Sequence, residues 1–313
     1  MFTGEIISLF VAVSWTATAL FAEVASKRMG SLPLNTLRMT MSLILLSATL
    51  WVMGGSPWPR FADGGTWGWL ALSGVVGYVI GDYCLMQGYI YIGSRFGQLF
   101  MTLSAPTAAV TGFLLLGERM RPLAILGMVV TLSGIALSIL SKKGDTVKMN
   151  LPKKGIFFAA VAGICQGLGL VLSKIGLEHY HAALASQANS LAASQLLYIP
   201  FAATFIRASV GLIGFFLLLK LFNRDWKEKL RHAATDRKAM WCLLGATVFG
   251  PFIGVSASLL ATLYTSTGIA QTLFALTPVL IIAPSALLFH EKVTLREVLG
   301  ALLSVAGVSL FFI

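Results

Sequence analysis

Charge is what this chain has least of. Of its 313 residues only 11% are Asp, Glu, Lys or Arg, and acids are the scarcer kind, 12 against 23 bases. A soluble domain carries about 25% charged residues, so a water-soluble globule of this length is excluded. Cysteine is nearly absent too. Cys84, Cys165 and Cys242 all fall inside apolar stretches and read as buried small residues, which argues against a disulfide or cysteine-based metal framework. The four histidines, His179, His181, His232 and His290, have no zinc-like spacing. Neither a metal nor a cofactor is expected. No Walker A loop is present, which argues against ATP hydrolysis by this chain, and H-E-x-x-H, G-x-S-x-G and clustered carboxylates are missing as well. The formal charge is +11, but the bases sit in short loops between apolar runs, where membrane topology accounts for them. No nucleic-acid partner is expected.

What is present is hydrocarbon. Mean hydropathy is +0.84 and 57% of residues are hydrophobic. Apolar runs of about 20 residues recur, each long enough to cross roughly 30 Å of bilayer as a helix. The runs are continuous rather than alternating, which favours helices over a barrel. The expectation is an all-α integral membrane protein with the lipid bilayer as its partner. Spans are expected at 4–24, 32–54, 67–87, 97–117, 122–141, 155–175, 199–222, 240–263, 268–289 and 295–313. Only Glu5, and no base, precedes the first run, so it reads as a helix and not as a cleaved signal. NRDWKEKLRHAATDRK reads as the main hydrophilic loop and SKKGDTVKMNLPKKG as the central divide.

The chain also repeats itself. At an offset of 173, Gly250 falls on Gly77, Gly254 on Gly81, Tyr264 on Tyr91, Gln271 on Gln98, Glu291 on Glu118, Gly300 on Gly127 and Gly307 on Gly134. Nearer the start of each half the offset is 151, placing Gln166 on Trp15 and Lys174 on Glu23, while Arg207 falls on Arg38 at 169. The change locates an insertion of about 18 residues within 181–198, either an interfacial helix or a loop. The expected division is 1–141, a linker at 142–154, and 155–313. Each half holds five spans, an odd number, so the second enters the membrane inverted.

The run PTAAVTGFLLLGERMRPLAILGMVVTLSGIAL and its partner PVLIIAPSALLFHEKVTLREVLGALLSVAGVSLFF resemble the EamA repeat of the drug/metabolite transporter superfamily. The shared marks are a proline-bearing fourth helix, a Gly/His-Glu-Arg/Lys turn and a fifth helix with glycines seven apart. The resemblance implies ten transmembrane helices in two inverted five-helix repeats. It also implies secondary transport of a small organic metabolite or drug-like solute by alternating access, in a bacterial cytoplasmic (inner) membrane.

Intramembrane polar residues are the candidate machinery, because a charge at the bilayer centre costs at least ~2.5 kcal/mol. Asp82 lies in mid-helix, and its repeat mate is Val255. One unmatched acid suits coupling to a proton or sodium ion; the plainer role is a buried acid satisfied by tyrosine or backbone donors. Arg38 and Arg207 are matched gating or anion-binding candidates, with snorkelling to headgroups as the ordinary alternative. Trp15, Tyr83, Gln87, Gln98, Gln166, Ser256, Tyr264, Gln271 and Thr272 are candidates for a substrate cavity. Gly77-x-x-x-Gly81 and Gly250-x-x-x-Gly254 read as helix-packing faces, and Pro106 and Pro278 as helix breaks. Glu118 and Glu291 read as loop or cap residues. A membrane-embedded enzyme acting on lipid, or a non-transporting receptor or assembly subunit, are the alternatives to a transporter. About 17 of the 23 Lys and Arg fall on the side of the central linker, which places that side in the cytoplasm; the resemblance implies cytoplasmic termini instead.

Overall fold

Backbone in hydrocarbon must satisfy its hydrogen bonds within the segment or within a closed sheet. The computed structural model describes residues 2–140, 152–187, 193–282, 284 and 295–312, and among the described residues there is no strand. Among the described residues eight helical stretches are long and apolar enough to cross a bilayer, and the shorter apolar stretches Pro122–Leu137 and Thr267–Leu280 overlap the fifth and ninth expected spans.

Helix α1 (Thr3–Met29) turns at Gly30 into α2 (Ser31–Gly54). Helix α3 (Gly64–Gly74), capped by Asp63, passes into a π-helical segment, π1 (Val75–Asp82), and then into α4 (Tyr83–Met101). Gly93 breaks α4 with φ of 76°, a left-handed conformation that glycine adopts without steric cost. The chain continues through α5 (Ser104–Leu116) and α6 (Pro122–Leu140). The later half comprises α7 (Lys153–Gln187), α8 (Ala193–Phe222), α9 (Trp226–Thr235) and α10 (Arg237–Thr247). After these come π2 (Val248–Phe252), α11 (Ile253–Thr262), α12 (Thr267–Phe274), α13 (Thr277–Leu280) and α14 (Leu295–Ser309).

Three local expectations need revision. The long hydrophilic loop contains a helix, α9, whose Trp226 and Leu230 pack on the core while its charged side faces out. Most of the 181–198 insertion prolongs α7 and α8 rather than forming a loop or a separate helix. Those extensions grip the connection between α2 and α3: Tyr180 donates to the Arg60 carbonyl at 2.5 Å, and the Arg60 N–H donates to Tyr198 at 2.9 Å. The glycine pairs do not lie on regular α-helical faces, as the next subsection describes. Of the linker expected at 142–154, residues 142–151 lie outside the described residues, as does the Glu291 hairpin, and Lys153 and Lys154 already belong to α7.

Asp236 caps α10 and accepts from Arg28 at 2.7 Å, which ties the end of α1 to α10. The Arg28 hydrogen bond and the Ala239 N–H hold its carboxyl below the ordinary carboxylate range. The helices part at residues 102–103 and 275–276, in each case just before the proline, whose ring cannot sit against the carbonyl four residues back. That carbonyl is not left bare. Thr102 O accepts from the Ala105 N–H, and Phe274 O accepts from the Thr277 hydroxyl.

Helices α6 and α14 meet along glycines. A methyl at Gly127 would come 2.8 Å from the Gly307 carbonyl, and one at Gly134 2.7 Å from the Gly300 carbonyl, so the helices run antiparallel with backbones in contact. Between those contacts Thr131 and Ser304 exchange hydroxyl-to-carbonyl bonds at 3.4 and 3.3 Å. Gly127, Thr131 and Gly134 coincide with Gly300, Ser304 and Gly307 at the 173-residue offset, so Gly127 meets the mate of Gly134, Gly134 meets the mate of Gly127, and Thr131 meets its own mate.

Candidate functional site

The π-turns shape the centre. Val75 and Val248, where they begin, coincide at the 173-residue offset. A π-turn widens the helix locally and is common at functional sites. Glycines inside or beside these turns clear space for side chains from neighbouring helices. A methyl at Gly77 would lie 2.9 Å from Nη2 of Arg207, at Gly81 3.3 Å from Nε2 of Gln166, at Gly250 3.1 Å from Cγ2 of Thr18 and at Gly254 2.8 Å from Nε1 of Trp15. Only Gly77 also meets a facing backbone, at Gly169. These four glycines therefore make room for cavity side chains more than for helix-on-helix packing.

Those side chains line a central cavity of about 70 Å³. A small-molecule site usually holds roughly 300 Å³ or more, so the walls part before a metabolite enters. Both halves build it. Trp15, Arg38, Asp82 and Gln98 come from the first, and Gln166, Arg207, Gly250 and Gln271 from the second. Asp82 is 6% exposed and Arg38 is 3% exposed. Arg38 Nη2 donates to Asp82 Oδ2 in a buried ion pair. Gln166 Nε2 donates to the other carboxylate oxygen at 2.8 Å and to the Gly77 carbonyl at 3.1 Å. Asp82 is thus held by an arginine and an amide, not by tyrosine or backbone donors. Arg207 is 4% exposed and stacks 4.9 Å from the centre of the Tyr78 ring. Neither arginine snorkels; both point inward because the cavity offers an acid, an amide and an aromatic face.

Gln98 donates to the Tyr89 hydroxyl. Gln271 donates to the Gln166 carbonyl at 3.3 Å, and Trp15 meets Phe274 edge-on at 4.9 Å. Five expected cavity residues lie elsewhere. Gln87 donates to Ser31 at 2.9 Å and to Tyr83 at 3.3 Å, so both turn toward the connection between α1 and α2. Ser256 donates to Thr204 at 3.1 Å between α11 and α8. Thr272 bonds the Gly268 carbonyl of its own helix, and Tyr264 is 51% exposed beside Lys174. Tyr78, Tyr89, Thr18 and Met86 line the cavity without having been singled out. Met86 and Tyr89 were readable, since they follow Asp82 by four and seven residues and so share its helix face.

A second polar cluster joins the two halves. Lys174 Nζ lies 2.6 Å from Glu118 Oε1, and Glu118 Oε2 accepts from the backbone and hydroxyl of Thr267 at 2.9 and 2.6 Å. Glu118 thus caps α12 across the two halves. Within the first half, Glu23 accepts from the Ser94 N–H at 3.1 Å and pairs with Lys27 at 2.6 Å. Ser94 and Thr267 are repeat mates, as are Glu23 and Lys174.

The family model of EamA-like transporters matches the sequence twice, over residues 2–140 and 153–313. The chain belongs to the EamA-like transporter family. It is a multi-pass membrane protein of the drug/metabolite transporter superfamily, a family of membrane transporters for small solutes. A solved structure titled "Crystal structure of protein" shares this EamA fold, with a TM-score of 0.71 and 16% identity over 99% of this chain and 95% of that one. No curated protein matches the chain.

Proposed function

We propose that this EamA-family chain is a secondary transporter in which ten spans form two inverted five-helix halves, 1–141 and 155–313, joined by a linker at 142–154. It moves a small organic solute through the central cavity by alternating access. The observation that carries this reading is the Arg38–Asp82–Gln166 cluster, contributed by both halves and lining a cavity that contains a further arginine. The antiparallel contact of repeat-related residues on α6 and α14 supports the inverted arrangement. The missing acid at Val255 supports Asp82 as the one coupling group, for a proton or sodium ion. The membrane is the bacterial cytoplasmic one. Counterflow in proteoliposomes, with and without a proton or sodium gradient, tests the reading; absence of flux for every solute class tried would sink it.

The Glu118 cluster is a lock on one end of the cavity. Glu118→Ala strips three hydrogen bonds from a carboxylate and should destabilise this closure by roughly 2–3 kcal/mol. A lone cysteine placed at Gln271 should then react with an impermeant maleimide from that end about tenfold faster or more. An unchanged rate would make Glu118 a helix cap and nothing else. The charge asymmetry puts the central linker in the cytoplasm. A lone cysteine at Lys148, outside the described residues, should resist impermeant maleimide in intact cells until the membrane is opened. Ready labelling from outside would reverse the orientation.

A further inference from the structure

Two cations and one acid meet in the central cavity, and only one cation is matched. Arg38 is neutralised by Asp82. Arg207 makes no ion pair among the described residues, and its Nε is buried without a hydrogen-bond partner. It has instead a fixed platform, the Tyr78 ring, and a notch at Gly77 that admits Nη2. A guanidinium seated over an aromatic ring can still offer N–H donors to a planar anion. An uncompensated buried charge is strongly unfavourable. The cavity therefore has one surplus positive charge, which a monoanion cancels; a dianionic phosphate ester would overshoot.

A second orphan lies in the same cavity. Gln271 Nε2 donates to the Gln166 carbonyl, which fixes the orientation of the amide, because a flipped amide would set two oxygens against each other. Its Oε1 is left buried with no donor. Such an acceptor is costly unless something supplies an N–H or O–H. The remaining wall near these groups includes the Trp15 ring and Met86, which suit a short apolar body.

We infer that the solute is a small organic monocarboxylate bearing at least one hydrogen-bond donor. Its carboxylate sits on Arg207 and its donor on Oε1 of Gln271. This rests on the cavity being the transport site.

The test uses the purified full-length chain and four kinds of probe: L-lactate and D-glycerate as monocarboxylates, lactamide and D-glyceramide as their uncharged amides, glycerol 3-phosphate, and tetraphenylphosphonium. At least one carboxylate should raise the melting temperature while its amide does not. Arg207→Gln should melt at or above the wild type without ligand, since it removes an unmatched charge. Its half-saturating carboxylate concentration should rise by about 30-fold or more. Arg207→Lys should fall between the two. The inference is overturned if neither carboxylate stabilises the protein, if an amide, phosphate ester or cation does so equally, or if Arg207→Gln keeps wild-type affinity. Arg207-dependent carboxylate binding without counterflow would uphold it and remove the transporter reading. Counterflow of a cation or uncharged solute alone would do the reverse.

Discussion

Asp82→Asn should lower stability sharply and abolish gradient-driven accumulation. The carboxylate accepts from Arg38 and from Gln166, and both it and Arg38 are buried. Asparagine keeps the shape but removes the charge, which leaves Arg38 as a second unmatched cation beside Arg207. Breaking a buried pair from one side costs about 3–5 kcal/mol. Thermal unfolding of the purified variant reads this directly. Arg38→Gln combined with Asp82→Asn removes both charges and should recover most of the lost stability, while accumulation stays absent because no titrating group remains. Exchange down a gradient should survive in the double variant. If Asp82→Asn accumulates solute against a gradient as well as the wild type at equal protein level, the acid is structural.

Gly134→Leu should prevent assembly of the folded protein. Its new side chain would have to occupy space taken by the backbone and side chain of Ser304 and by the Gly300 carbonyl. Backbone cannot move aside as a flexible side chain can, and packed helices tolerate overfilling poorly, at about 1–3 kcal/mol even where side chains yield. Separating α6 from α14 would also break the exchanged hydroxyl bonds of Thr131 and Ser304. In lipid there is no hydrophobic drive to hold helices together once close packing is lost. Size-exclusion chromatography after mild detergent extraction should show aggregate in place of a single peak. Gly117→Ala makes the control, since nothing lies within 4 Å of that position; it carries only the backbone strain of φ 65° and should extract as a single peak. A monodisperse, wild-type-like Gly134→Leu would show that α6 and α14 are not in contact as described.

The spans were legible because lipid punishes exposed backbone and charge everywhere along a segment, so each leaves a long, uniform signal in composition. The repeat was legible through its glycines and polar residues, which similar apolar helices do not produce by chance as easily as leucines. Asp82, Gln166 and Gln271 were found because burying them in lipid needs a reason. Tyr83 and Gln87 were misplaced because they are one and five residues past Asp82, on a different face of α4. The two π-turns left no mark that sequence periodicity registers, though they govern which side chains reach the centre. Helix α9 was hidden by its charge, since a short surface helix and a polar loop have nearly the same composition. The partner of Arg38 was not legible at all: it is a contact between residues 44 apart on separate spans.

The π-turns also carry a record of descent. A π-turn departs from the regular α-helical hydrogen-bond ladder, and such a departure persists only where the surroundings hold it in place. In this chain it starts at Val75 and again at Val248, positions that the 173-residue offset makes equivalent. Two independent origins at one equivalent position are a poorer account than one origin before the ancestral segment was doubled. The acid has a different history. Asp82 lies at the end of π1, and Val255 stands at the equivalent place, so the two copies diverged there after doubling, by gain of a carboxylate in one or its loss in the other. The π-turn is therefore ancestral to both copies, and the single-acid state of the cavity is younger than the turn.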